Sequence, residues 1–104
     1  MEQPESIAER KLYAVAPDGG FELMIGVGKP YQISEDEWAC SVQLRGLHNL
    51  RDQHGVDSWQ ALQLCYQLAA QLLAHFVQEG GQLFWEKDGE QVSVQDLFIK
   101  QPTF

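Results

Sequence analysis

Two kinds of apolar spacing divide this chain. From Arg10 to Ala16 and from Phe21 to Val27 apolar and β-branched residues dominate, and Pro17-Asp18-Gly19-Gly20 between them supplies the glycine freedom that a tight turn needs. This arrangement predicts a β-hairpin, weakened at its far end by Gly26, Gly28 and Pro30. The charged connection Ser34-Glu35-Asp36-Glu37 leads to a third alternating segment, Trp38 to Arg45. By a strand's period of two, Trp38, Cys40, Val42 and Leu44 share one face, which should meet a core.

After Val56 the period becomes that of a helix. Asp57-Ser58-Trp59-Gln60 reads as a helix start, with a side-chain acceptor at the cap and a glutamine three residues on to reach back. Leu62, Cys65, Tyr66, Ala69, Leu72, Leu73 and Phe76 recur at steps of three and four and form one broad apolar stripe. Gly80-Gly81 stops the helix near Glu79. Beyond it, Leu83-Phe84-Trp85 predicts a short strand and Lys87-Asp88-Gly89-Glu90 a turn. Gln91 to Ile99 predicts a closing strand, with a strand that runs into a helical turn at Ser93 as the competing reading. Residues 1–8 are polar and proline-containing and predict a flexible lead-in; residues 9–104 predict a single domain. The order β-β-β-α-β predicts the α+β class: an antiparallel β-meander packed on one long α-helix in two layers.

Composition narrows the function classes. The chain has 104 residues, 44% hydrophobic and 11% aromatic, too apolar for disorder, and no apolar run approaches the roughly 18 residues that span a bilayer. Its net charge of -8, from 15 Asp and Glu against seven Lys and Arg, repels phosphate backbones and anionic lipid. Nucleic acid and membrane are therefore disfavoured as partners, and a basic protein is favoured, although acidity also serves solubility alone. The acidic start Met1-Glu2-Gln3-Pro4-Glu5-Ser6 lacks the basic and apolar regions of a secretory signal, so a cytoplasmic location is expected. Cys40 and Cys65 each fall inside an apolar segment without CxxC spacing, which predicts buried free thiols rather than a disulfide or a metal pair.

Candidate chemistry concentrates between Leu47 and Ser58. His48, Arg51 and His54 form the candidate loop site, with Arg45 close enough in sequence to help Arg51 grip an anion. His54, Asp57 and Ser58 are the residue types of a nucleophile and base, but they sit in one turn, where chance composition explains them better than a scaffolded triad. His48, Asp52 and His54 match no metal-ligand spacing, so no metal and no cofactor is expected. Glu35-Asp36-Glu37 reads as a solvated loop. The helix is the more unusual feature. Between Asp57 and Glu79 it carries no charged residue, and its polar face consists of Gln60, Gln63, Gln67, Gln71 and His75, with Gln78 continuing the line. Exposed helices usually carry Lys and Glu pairs. An uncharged polar face can lose water without stranding a charge, as the centre of a protein contact requires. An ordinary solvated glutamine face is the competing reading.

Gly46-Leu47 at a strand end, Gly55-Val56-Asp57-Ser58-Trp59-Gln60-Ala61-Leu62 at the helix start and Gly81-Gln82-Leu83-Phe84-Trp85 in the next strand form a recognisable series. On these residues the chain resembles a family of small stand-alone bacterial proteins classed as a domain of unknown function. Its members carry a G-[VI]-D-S-x-Q-A-L segment opening a long helix and then a G-x-L-x-W strand. The resemblance spans roughly Arg10 to Trp85, and the tail after Trp85 departs from the family pattern. It implies a bacterial cytoplasmic domain with a β-meander and a helix, and it transfers no catalytic residues.

Two functional classes follow. The first is a non-enzymatic protein-binding domain, such as an immunity-type inhibitor of a toxin or a small regulatory partner, with a homodimer as another form of the same contact. The second is a small enzyme or anion-binding domain that uses the loop from His48 to Ser58. Catalytic grouping is absent from the sequence, so the reading leans away from an enzyme.

Overall fold

Pro17 and Asp18 form the tip of the expected hairpin in the computed structural model, which describes residues 6–98. Strands β1 (Ser6–Ala16) and β2 (Gly19–Gly28) pair antiparallel from Ser6↔Gly28 to Ala16↔Gly19. β1 thus begins at Ser6, so residues 6–8 of the expected lead-in belong to a strand; the rest of that lead-in lies outside the described residues. Leu12 and Ala14 of β1 and Leu23 and Val27 of β2 are buried, and they set the inner face of the sheet.

The segment Trp38–Arg45 is not one strand. It divides into β4 (Glu37–Cys40) and β5 (Val42–Arg45), which belong to different sheets. Two further strands went unread in the sequence: β3 (Tyr31–Ser34), every residue of which is exposed, and β6 (Gln53–Gly55). The first sheet has the order β5-β2-β1-β7, where β7 is Gln82–Phe84; the second is β3-β4-β6. The chain crosses from one to the other at Ser41, which is buried along with Ala39, Cys40 and Val42 on either side. A half-buried strand alternates, so four consecutive buried residues mark a chain passing between layers rather than lying along one.

At this crossing some carbonyls leave their ladders, and the two cysteines meet them. Cys40 Sγ donates to the Gly28 carbonyl at 3.2 Å and Cys65 Sγ to the Cys40 carbonyl at 3.3 Å, while the Gly28 amide donates to the Ser41 carbonyl. Both thiols are free and buried, as expected. They act as hydrogen-bond donors at the sheet junction as well as filling space.

Helix α1 (Ser58–Gln78) lies across both sheets, closest to β6 and β4, and buries Ala61, Cys65, Ala69 and Leu73. Leu62, Leu72 and Phe76 pack beside them as expected, and Phe76 meets Phe21 edge to face at 6.1 Å. Tyr66, placed in the apolar stripe by its spacing, is instead 44% exposed. The α+β class and the packing of antiparallel strands on one long helix agree with the sequence, but the strands form two sheets rather than one meander.

The closing strand is also replaced. After β7 a tight turn with Asp88 at φ 62° brings Gln91 back beside Phe84 as an isolated bridge. The chain then enters the short helix α2 (Val94–Leu97). Ser93 caps it: its hydroxyl accepts from the Asp96 amide and the Asp96 carboxylate accepts from the Ser93 amide. This reciprocal capping box favours the helical turn over a strand. The remainder of the expected strand, from residue 99 on, lies outside the described residues.

Candidate binding surface

The segment Gly55 to Leu62 is occupied with starting α1. A Cβ on Gly55 would stand 2.6 Å from the Ala61 amide nitrogen and 3.0 Å from the Gln60 carbonyl carbon, so only glycine lets β6 run this close to the first turn. Asp57 Oδ1 accepts from the Gln60 amide at 2.8 Å, and Gln60 Oε1 reaches back to the Val56 amide at 2.8 Å. Two backbone donors at the helix entry are thereby satisfied. At the other end Gly80, at φ +100°, donates to the Val77 carbonyl and Gly81 to that of Phe76, the paired closure of a helix that ends in a left-handed residue. Asp57 and Gln60 are thus committed to the backbone.

Between these ends the outer side of α1 presents two adjoining strips. Gln60, Gln63, Gln67, Gln71 and His75 are all exposed, and His75 Nε2 lies 3.9 Å from Glu79 Oε1. Beside them runs an apolar strip that the sequence reading missed: Trp59 is 73% exposed, Tyr66 44% and Val77 41%. Steps of seven and eleven residues bring these three within about 20° of one another around the axis. That alignment was the available signal. It was hidden because Tyr66 also fits the edge of the core stripe.

The loop candidates are arranged differently. His54 lies in β6, and its Nδ1 is 2.7 Å from Glu37 Oε2 on the neighbouring β4, with both side chains about half exposed. His48 is tied through its backbone to Leu44, and Arg51 is exposed. Asp52 accepts from the Tyr31 hydroxyl at 2.5 Å. The bond holds the Tyr31 phenol above its ordinary pKa, because the carboxylate partner favours the protonated form. Tyr31, Ala39 and His54 lie opposite one another across the three strands, so the two side-chain pairs close over Ala39, which is fully buried. Glu37 therefore belongs to this arrangement and only Glu35 and Asp36 to a turn. Ser58 and Asp57 do not join His54, since Asp57 faces the helix amide. Among the described residues no three His, Cys, Asp or Glu side chains converge as metal ligands, and no helix is long and apolar enough to cross a membrane.

A groove of about 260 Å³ opens beside the apolar strip. Ala8 and Arg10 of β1, Val27 of β2, Tyr66 of α1, Trp85 and Phe98 are among its walls. The Arg10 guanidinium stacks 4.3 Å from the centre of the Trp85 ring. Burial governs the thiols: it pushes Cys40 up and Cys65 up to about 12, leaving neither poised as a nucleophile.

Comparison with known proteins returns one assignment. No curated protein and no solved structure matches the chain. A family model described as a domain of unknown function, DUF6968, matches residues 8–95. The match extends ten residues past Trp85, beyond the stretch on which the sequence resemblance rests. A chain covered over this much of its length, with its long helix and all its strands but the first two residues of β1 inside the match, belongs to the DUF6968 family.

Proposed function

We propose that this domain is a non-enzymatic protein-binding module that docks its partner on the exposed side of α1. One observation carries the reading: a 21-residue helix in a chain of net charge -8 has no Asp, Glu, Lys or Arg side chain, yet leaves Trp59, Tyr66 and Val77 in water beside its glutamines. Aromatic residues flanked by uncharged polar ones suit the centre of an interface, where charged groups are depleted. The acidic remainder of the surface would draw in a basic partner at long range, while the neutral helix makes the contact. An immunity-type inhibitor of a toxin, or a small regulatory subunit, working in the cytoplasm is the concrete form of this reading. Two free thiols suit such a reducing compartment.

The test compares wild type with Trp59→Ala and with a Gln63→Glu, Gln67→Lys double variant. Light scattering on the purified proteins reports self-association. Affinity capture from the native host, followed by reconstitution from two purified proteins, reports a foreign partner. Loss of the dimer or of the reconstituted complex in both variants, with unchanged thermal unfolding, supports the helix face. Equal mass and equal partner affinity in all three proteins overturns it.

A further inference from the structure

β1 is eleven residues long and pairs with β2 from Ser6 to Ala16, with one register shift at Ile7, but on its other side β7 covers only Tyr13, Ala14 and Val15. Among the described residues no strand covers that edge from Ser6 to Leu12. Among those residues its outward backbone donors and acceptors have no ladder partner, which is how an edge that can take another strand presents itself. The groove walled by Tyr66, Trp85 and Phe98 opens along the same stretch, at Ala8 and Arg10. We propose that this edge accepts an extended peptide segment of a partner protein as an added strand, with an apolar side chain in the groove and a carboxylate opposite Arg10.

The side-chain chemistry follows from the pleat. Leu12 and Ala14 face the core, so along the regular register from Ala8 onward Ala8 and Arg10 point to the same inner side, while Glu9 and Lys11 point outward. Arg10 has a cation–π contact with Trp85 and no carboxylate within ion-pair distance among the described residues. The guanidinium is held in place by the indole while its donors stay open to a ligand. Glu9 and Asp96 also line the groove, but Glu9 points to the outer face and Asp96 accepts from the Ser93 amide. A second copy of this chain paired about the middle of the edge is a poor occupant. Opposite residues in an antiparallel pair share a face, so a two-fold pairing centred on residue 9, 10 or 11 sets Glu9, Arg10 or Lys11 against itself. The fitting partner is complementary instead: acidic opposite Arg10 and Lys11, basic opposite Glu9, and apolar opposite Ala8 and Leu12. Strand addition supplies affinity through the backbone and specificity through these alternate side chains.

The probe is a blocked, fluorescent peptide Leu-Glu-Glu-Lys-Phe-Val, set antiparallel so that its second Glu faces Arg10 and its Phe faces Ala8. A control peptide has Lys in place of that second Glu. Anisotropy titration should give saturable binding of the first peptide to wild type and at least tenfold weaker binding of the control. Arg10→Glu should reverse the preference. Amide chemical shifts should move in β1 and around Trp85, with Gln60, Gln63 and Gln67 unaffected, which separates this edge from the helix face. Circular dichroism establishes that Arg10→Glu is folded, and Arg10→Lys, which keeps the charge, should retain the wild-type preference. Absent saturation with wild type, equal affinity for the two peptides, or an unreversed preference in folded Arg10→Glu overturns the proposal; Glu9, Arg10 and Lys11 then only guard the edge against unwanted pairing.

Discussion

The Cys65 thiol, on the buried side of α1, donates to the Cys40 carbonyl where the chain leaves one sheet for the other. The contact joins helix and sheet junction, and burial raises the Cys65 pKa to about 12. A thiol raised above its unfolded value of about 8.5 contributes its full stabilisation below that pH and loses it as pH rises toward 12. Denaturant midpoints should therefore be flat with respect to this group through neutrality and fall above about pH 9. In Cys65→Ala the fall should be shallower, on a lower baseline. A thiol reagent at pH 8 should label neither cysteine in the native protein and both in denaturant; prompt native labelling would place the thiols outside the core.

Gly55→Ala should be among the most disruptive conservative changes in the chain. Its Cβ would meet backbone atoms of Gln60 and Ala61, which cannot swing aside as a flexible side chain can. Overpacking of this kind costs about 1–3 kcal/mol. Thermal unfolding should show a clear drop in midpoint. An unchanged midpoint would mean that β6 and the helix entry lie farther apart.

Asp57→Ala removes the acceptor for the Gln60 amide and should destabilise the domain by about 1 kcal/mol. Urea melts measure it, and Asp57→Asn, which keeps an acceptor, should recover most of the loss. An unchanged urea midpoint in Asp57→Ala would mean that this carboxylate does not cap the helix in solution.

Tyr31 should titrate above its ordinary range because its proton is shared with Asp52. The sign is that of any acid whose folded pKa is raised: stabilisation is complete below about pH 10 and is lost above it. Ultraviolet absorbance titration should show one late tyrosine in wild type and none attributable to this pair in Asp52→Asn. Identical titrations would mean that the bond across β4 is not formed in solution.

The parts legible in the sequence are those governed by near neighbours. The hairpin followed from a turn sequence between two apolar runs, and the limits of α1 from Asp57 and from Gly80-Gly81, because turns and caps are settled within a few residues. The glutamine face followed from helical period alone. Ser93 held a legible signal too, since a cap with an acidic residue three positions on competed with the apolar spacing of Gln91 to Ile99 and prevailed.

Long-range pairing decided the rest. Trp38 to Arg45 alternates like one strand, and only the partners on either side, β3 and β6 for its first half and β2 for its second, divide it at Ser41. Tyr31–Ser34 alternates like a strand but is four residues long and buries no side chain, and Gln53–Gly55 has no strand pattern at all, so neither stands on local signal. Their pairing with β4 makes them strands, helped by a tyrosine that reaches over Ala39 to Asp52. Among the described residues β1 likewise has no strand beside Ser6 to Leu12 on that side, because β7 pairs only from Gln82 to Phe84, many residues away in sequence. Sequence period determined which side of each element is apolar; which elements meet depended on contacts between distant segments, whose free energy no local pattern records.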